Sequence, residues 1–268
     1  MVIGAHGRPA VPVGRVRLLR VKKRVSRILC SPAIGSLLGR LLSDEIPNGG
    51  LRVLTGDQIV APATKASLFW GFYENAEVRF VKAHLRPDLD VIEAGSSIGV
   101  VSSHIARGLS PGKKLICIEA DERLLDTLRK NLERNASHLD KKVVHGGLVS
   151  ADDRNPSFLV QGGGTTEGQV VRTETETRIP SIHLNELRKA HSIGSYTLVC
   201  DIEGSEGKVI DGTTKEFAGC RALIVELHAC SVGTPDYLCR ELVSRHSFRL
   251  VARYGNVFAF ERPDSETP

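Results

Sequence analysis

From residue 89 onward, apolar runs of four to six residues alternate with amphipathic stretches of helical length. Residues 89–94 predict a first strand. Residues 98–109 predict a helix closed by Ser110-Pro111-Gly112, and 114–119 a second strand. In 122–136, Leu124, Leu125, Leu128 and Leu132 recur at helical spacing, with Asp121 placed as N-cap. Residues 142–149 read as a third strand, 197–202 as a fourth and 221–227 as a fifth. A helix follows over 237–245. Two strands, 248–254 and 256–261, close the pattern, joined through Gly255. Alternating strands and helices imply a parallel sheet covered on both faces. The closely spaced final pair implies one antiparallel strand at its edge. The expected fold class is α/β and Rossmann-like, mostly parallel with an antiparallel last strand, plus an N-terminal extension.

The earlier part of the chain lacks this rhythm. Residues 1–14 hold Gly, Pro and Arg without apolar periodicity and read as a leader. Residues 16–42 suggest two amphipathic helical pieces broken near Ser31-Pro32. Pro47-Asn48-Gly49-Gly50 predicts a turn, and 51–60 short strands around Thr55-Gly56-Asp57. Residues 150–180 form an irregular insert, in which Gly162-Gly163-Gly164 suggests a loop or a hairpin tip. The expected organisation is an extension over 1–69, one domain over 70–262 and a tail over 263–268.

Charge changes the picture only at the N-terminus. The chain carries a net +5, yet residues 1–52 hold ten Lys or Arg against Asp44 and Glu45, a net +8 that leaves −3 for the rest. Such an arm suits a phosphate-rich surface, nucleic acid or anionic lipid. Its few aromatics argue against stacking single-stranded bases. No apolar run is long enough to cross a bilayer, and no secretory pattern opens the chain, so a cytoplasmic protein is expected. The six cysteines form no C-x-x-C pair. That excludes a zinc ribbon or thioredoxin-type site and predicts reduced cysteines.

Candidate chemistry gathers at the strand ends. The first strand runs into Glu93-Ala94-Gly95-Ser96-Ser97-Ile98-Gly99 and then a helix. Such a turn lets a ligand approach backbone, and the helix N-terminus offers unpaired N–H groups. A dinucleotide fingerprint needs G-x-G-x-x-G, but Ser97 stands where its second glycine would be. Glu119 ends the second strand, where a carboxylate can accept both ribose hydroxyls of an adenosine, with Ala120 beside it. Ligands of doubly wound sheets sit beyond the carboxyl ends of the strands, where strand order reverses. Asp201 and Glu203 after strand four, and Glu226 and His228 after strand five, are expected to converge there. Asp201, Glu203 and His228 are the candidate catalytic residues, with His228 as general base because its ordinary pKa lies near neutrality. A divalent ion on these groups is the weaker alternative, and no metal is expected. Tyr73-Glu74 is a candidate lid.

The turn, together with later segments, resembles the FkbM-type methyltransferases. Asp90-Val91-Ile92-Glu93-Ala94-Gly95-Ser96-Ser97-Ile98-Gly99 is similar to that family's first motif. Gly71-Phe72-Tyr73-Glu74 resembles its upstream G-x-Y-E, and the segment 181–187 its T-L-D-x-L. Cys200-Asp201-Ile202-Glu203-Gly204-Ser205-Glu206 resembles its K-I-D-V-E-G-x-E, and Val225-Glu226-Leu227-His228 its V-E-x-H strand. The resemblance spans about residues 70–262 and departs at Glu93, Ser96-Ser97, Asn185 and Cys200. It implies a class I methyltransferase sheet and S-adenosylmethionine as cofactor, held by Glu93, Gly95, Ser96, Ser97, Gly99, Glu119 and Ala120. The implied reaction is O-methylation of a glycan or secondary metabolite. A nucleic-acid methyltransferase using the basic arm, a nicotinamide oxidoreductase and a non-catalytic binding module remain the alternatives.

Overall fold

The structure, a computed structural model, describes residues 25–150 and 179–262. The expected leader, the insert with its hairpin, and the tail lie wholly or largely outside the described residues. No helix among those described is long and apolar enough to cross a membrane.

A seven-stranded sheet forms the centre. Its strands are β3 (Asp90–Ala94), β4 (Lys114–Glu119), β5 (Asp140–His145), β8 (Tyr196–Cys200), β9 (Cys220–Glu226), β10 (Arg249–Tyr254) and β11 (Val257–Glu261). They lie in the order β10-β11-β9-β8-β3-β4-β5. All neighbours are parallel except β11, which runs antiparallel to both β9 and β10. The sheet is therefore Rossmann-like and mostly parallel, with an antiparallel last strand. One detail is corrected. The antiparallel strand is not at the edge but slots between β9 and β10, because the tight Gly255 turn (φ +62°) makes it fold straight back beside β10. Chain order reverses at β3, so the crevice between β3 and β8 is the switch point.

Helices α3 (Asn75–His84), α4 (Val100–Gly108) and α5 (Leu125–Asn135) cover one face. Their Val81, Ile105 and Leu128 pack with Val91, Leu115 and Ile224 of the sheet. Helices α6 (Leu184–Ala190), α7 (Glu206–Asp211) and α8 (Pro235–Ser244) cover the other, where Leu184, Ile210 and Leu238 meet Ile92, Leu198 and Leu223. Helix α5 is preceded by a 3-10 turn over Glu122–Leu124, and Asp121 caps it as expected by accepting the Arg123 N–H at 3.0 Å. The third expected strand breaks at Gly146, leaving β5 and a short β6 (Gly147–Leu148) paired with β7 (Ser181–Ile182).

The chain before residue 90 is more structured than its pattern suggested. Helix α1 (Pro32–Leu41) follows Ser31 with proline in its first turn, where the lost N–H costs nothing. Strands β1 (Glu45–Asn48) and β2 (Leu51–Leu54) form a hairpin whose turn is Gly49-Gly50, so Pro47 and Asn48 lie in strand rather than turn. Residues 55–60 hold no strand, and α2 (Pro62–Phe69) follows. Ile46, Val53, Val60 and Leu68 form an apolar cluster with Ile98, Val100 and Leu124, so this segment packs directly over the glycine turn.

Candidate functional site

The turn after β3 has the backbone its glycines demand. Gly95 and Gly99 take φ values of +84° and +85°. A Cβ on Gly95 would fall 1.7 Å from the Asp201 carbonyl oxygen, so the close approach of β3 and the chain after β8 requires glycine. Ser97 also sits in the left-handed region, at φ +49°, a conformation that costs on the order of 1 kcal/mol for a residue with a side chain. Its compensations are visible. Its N–H donates to Glu119 Oε2 at 2.7 Å, and its hydroxyl lies 3.3 Å from the Tyr73 hydroxyl. Glu119 Oε1 accepts the Asp121 N–H at 2.7 Å, so one buried carboxylate ties together the two strand ends expected to hold an adenosine. Burial raises its pKa above the usual carboxylate value.

Glu93 and Ser96 brace the turn from beneath. Both are buried, and Glu93 Oε2 accepts hydrogen bonds from the hydroxyls of Ser96 and Ser102 and from the Cys117 thiol. Burial pushes Glu93 up to about 7 against the lowering effect of these donors. All six cysteines are free, as expected.

A small cavity opens at the carboxyl ends of β3, β8 and β9. Glu74, Glu77, Glu93, Asp201 and Glu226 line it, with Val101, Val199 and Ile224 behind, and among the described residues no Lys or Arg does. Burial is the largest cause of the upward shifts here, and the neighbouring carboxylates add to it. It raises Glu77 to about 7, helped by a hydrogen bond with Glu226, and Asp201 to about 7, helped by the charges of Glu203 and Glu206. It holds Glu74 well above the carboxylate range. Asp201 Oδ1 is buried with no hydrogen-bond partner. Glu74, at φ +45°, precedes α3 and lines the cavity.

The reacting residues depart from expectation in two respects. Strand β8 stops at Cys200, and Glu203 takes φ +52°, so Asp201 and Glu203 do not share one extended face. Asp201 points into the cavity, whereas the Glu203 side chain is 87% exposed. The turn is shaped by Glu206, whose two oxygens accept the N–H groups of Ile202 at 2.8 Å and Gly204 at 2.9 Å. His228 lies beyond β9 among three carboxylates. Its Nδ1 is 3.3 Å from Glu206, and its Nε2 is 3.7 Å from Glu203 and 3.9 Å from Glu226. The hydrogen bond to Glu206 raises it to about 9, so at neutral pH it is an imidazolium rather than a base. Asp201, Glu206 and His228 each bring a ligand atom within 4.8 Å of one another. Both Glu206 oxygens are already engaged by backbone donors, which argues for a structural carboxylate.

Two residues escaped the pattern. Glu77 occupies the helical stripe of Tyr73, Phe80 and Val81, and a carboxyl on an apolar stripe was its available signal. Asn131, fully buried on α5, accepts the Leu54 N–H at 2.7 Å and donates to the carbonyls of Leu54 at 3.1 Å and Ile98 at 2.8 Å.

No family model matches the chain, and no curated protein does. Solved structures of similar shape include a protein of the NADB-Rossmann superfamily from Streptococcus agalactiae, 12% identical, covering 72% of this chain and 70% of that one with a TM-score of 0.42. Another is an rRNA methylase from Streptococcus thermophilus, 13% identical, covering 71% and 96% with a TM-score of 0.39. A third is fibrillarin from Aeropyrum pernix with natively bound S-adenosyl-L-methionine, 10% identical, covering 70% and 74% with a TM-score of 0.42.

Proposed function

We propose that the chain is an S-adenosylmethionine-dependent methyltransferase that methylates a hydroxyl group on a glycan or secondary metabolite. The observation that carries this reading is the cavity at the switch point, which among the described residues has five carboxyls, no Lys or Arg, and an unpartnered Asp201 oxygen. Carboxyls held together at such raised pKa values favour a ligand with fixed positive charge, which permits them to ionise. S-adenosylmethionine has a sulfonium and an ammonium at one end and, when bound, supplies an activated methyl group. Its other end fits the remaining features. The Gly95–Gly99 turn leaves backbone open to close approach, and Glu119 keeps acceptor capacity beyond its two backbone donors.

The roles of the chain's own side chains follow. Glu119 would hold the ribose, and Glu74, Glu77 and Glu93 the cationic end. Asp201, raised to about 7 and facing the cavity, is the candidate base for the acceptor's hydroxyl proton. His228, held as a charged donor by Glu206, is a positioning residue. The alternative base, His228, would have to lose a proton that three carboxylates retain.

Calorimetry tests the reading. S-adenosylmethionine and S-adenosylhomocysteine are expected to bind, and NAD is not. Glu119→Ala is expected to weaken both by about tenfold or more. Affinity for the sulfonium-bearing ligand should strengthen from pH 6 to pH 8 more than affinity for the thioether, which keeps the ammonium but lacks the sulfonium and so offsets less of the ionising carboxyls. A protein that binds neither ligand at millimolar levels removes the proposal.

A further inference from the structure

The N-terminal segment has a surface that the proposed chemistry does not use. Of the ten large hydrophobic side chains exposed among the described residues, six fall between residues 25 and 72: Val25, Ile28, Leu37, Leu41, Trp70 and Phe72. Helix α1 shows why. Its inner face is Gly35, Leu38, Gly39 and Leu42, packed so closely that a Cβ on Gly35 would overlap the Pro62 carbonyl. Its outer face carries Leu37 and Leu41 one turn apart, 56% and 71% exposed, with Arg40 exposed beside them. The Trp70 indole N–H donates to the Leu29 carbonyl at 3.1 Å, which fixes the indole against the chain just before α1. Ile28 and Arg27 in that stretch are also exposed.

Charge points the same way. Residues 1–52 carry a net +8 in sequence; among the described residues Arg27 and Arg40 are exposed, while Asp44 pairs with Lys65 at 2.5 Å and Glu45 with Arg134 at 2.7 Å and with Arg52 at 4.0 Å. An isolated leucine on a surface is ordinary, but a set of exposed aliphatic and aromatic side chains with exposed arginines among them, in a strongly basic stretch of sequence, is the composition of an interfacial segment. We propose that this face docks on an anionic lipid surface, the apolar side chains entering the headgroup boundary and Arg27 and Arg40 facing lipid phosphates. Each cation near such a surface contributes about 1 kcal/mol. A nucleic acid would match the charge yet leave Ile28, Leu37 and Leu41 without a partner. Phe72 adjoins Tyr73, whose hydroxyl reaches Ser97, so the docked face lies beside the glycine turn.

The test needs no methyl transfer and stands apart from the proposed activity. Trp70 is the chain's one tryptophan, so its emission reports on this face alone. The full chain is mixed with vesicles of phosphatidylcholine, with or without phosphatidylglycerol, and followed by flotation and emission. Binding to the anionic vesicles only, weakened by salt and accompanied by a blue shift, is expected. The double variant Leu37→Asp/Leu41→Asp changes two exposed side chains. It should melt as the parent does by circular dichroism, yet bind vesicles about tenfold more weakly or worse. No binding to anionic vesicles, binding indifferent to the double variant, or tighter binding to an RNA duplex without a blue shift overturns the proposal.

Discussion

A single side chain can be misjudged when its reference pKa is carried into a crowded site. His228 has an ordinary value of 6.5, which would make it the obvious base, but the Glu206 hydrogen bond and the flanking carboxylates raise it to about 9. Asp201 moves the other way in function: burial turns an ordinary acid into a group poised near 7. Turnover is therefore expected to rise with pH through a step near 7, and Asp201→Asn to remove the step and slow turnover by about 100-fold or more. His228→Gln should lower turnover yet keep the step. A step that survives Asp201→Asn would assign the proton to another group. The residues of the turn were legible because their constraint is local. A glycine that must take positive φ shows itself by spacing, and Gly95 and Gly99 did. Glu77 was not, since its meaning depends on Glu226, brought to it only by the packing of α3 on β9.

At the scale of elements, the strands of the seven-stranded sheet were readable within a residue or two, β5 apart, most of them because buried strands give continuous apolar runs, whereas the two-residue β7 was not read as a strand. The segment before them was not. Helices α2 and α3 are short, with buried Thr64 and Glu77 interrupting their apolar faces, and the β1 strand contains a proline. One buried amide helps tie that segment to the sheet's helices. Asn131 joins β2, the glycine turn and α5 through a donor and an acceptor used together. Asn131→Asp keeps the size but removes the N–H donors and sets a carboxylate against two carbonyls. A buried polar group left unpaired costs about 1–3 kcal/mol, so a clear fall in melting temperature is expected, with weaker adenosyl-ligand binding as the turn loosens. Asn131→Leu should lower stability similarly by leaving the Leu54 N–H without its acceptor. Unchanged melting in both would show that the hairpin is held without the Asn131 amide.

For the whole molecule, the cavity's acids set a pH dependence. Glu77, Glu93 and Asp201 stand at about 7 when folded, against 4.5, 4.5 and 3.8 otherwise. Folding thus takes up protons, and the stability these groups contribute is lost as pH rises through 7. His228 contributes stability present below 6.5 and lost through about 9. His104, buried and lowered to about 4, opposes part of this between about 4 and 6.5. The carboxyl loss runs from about pH 4.5 to 7 and the His228 loss from 6.5 to about 9, so over pH 4.5 to 9 the ligand-free protein is expected to melt at progressively lower temperature, and saturating S-adenosylmethionine to flatten the slope below 7. A melting temperature that climbs over that range would contradict the buried-acid picture. The inserted direction of β11 has a practical consequence of another kind. Val257 pairs with Glu226 beside the cavity, whereas Glu261 pairs with Ala222 near the start of β9. The strand therefore carries the chain to the pole opposite the cavity, and a probe, affinity handle or sensor-chip linker attached after it would leave the binding mouth unobstructed.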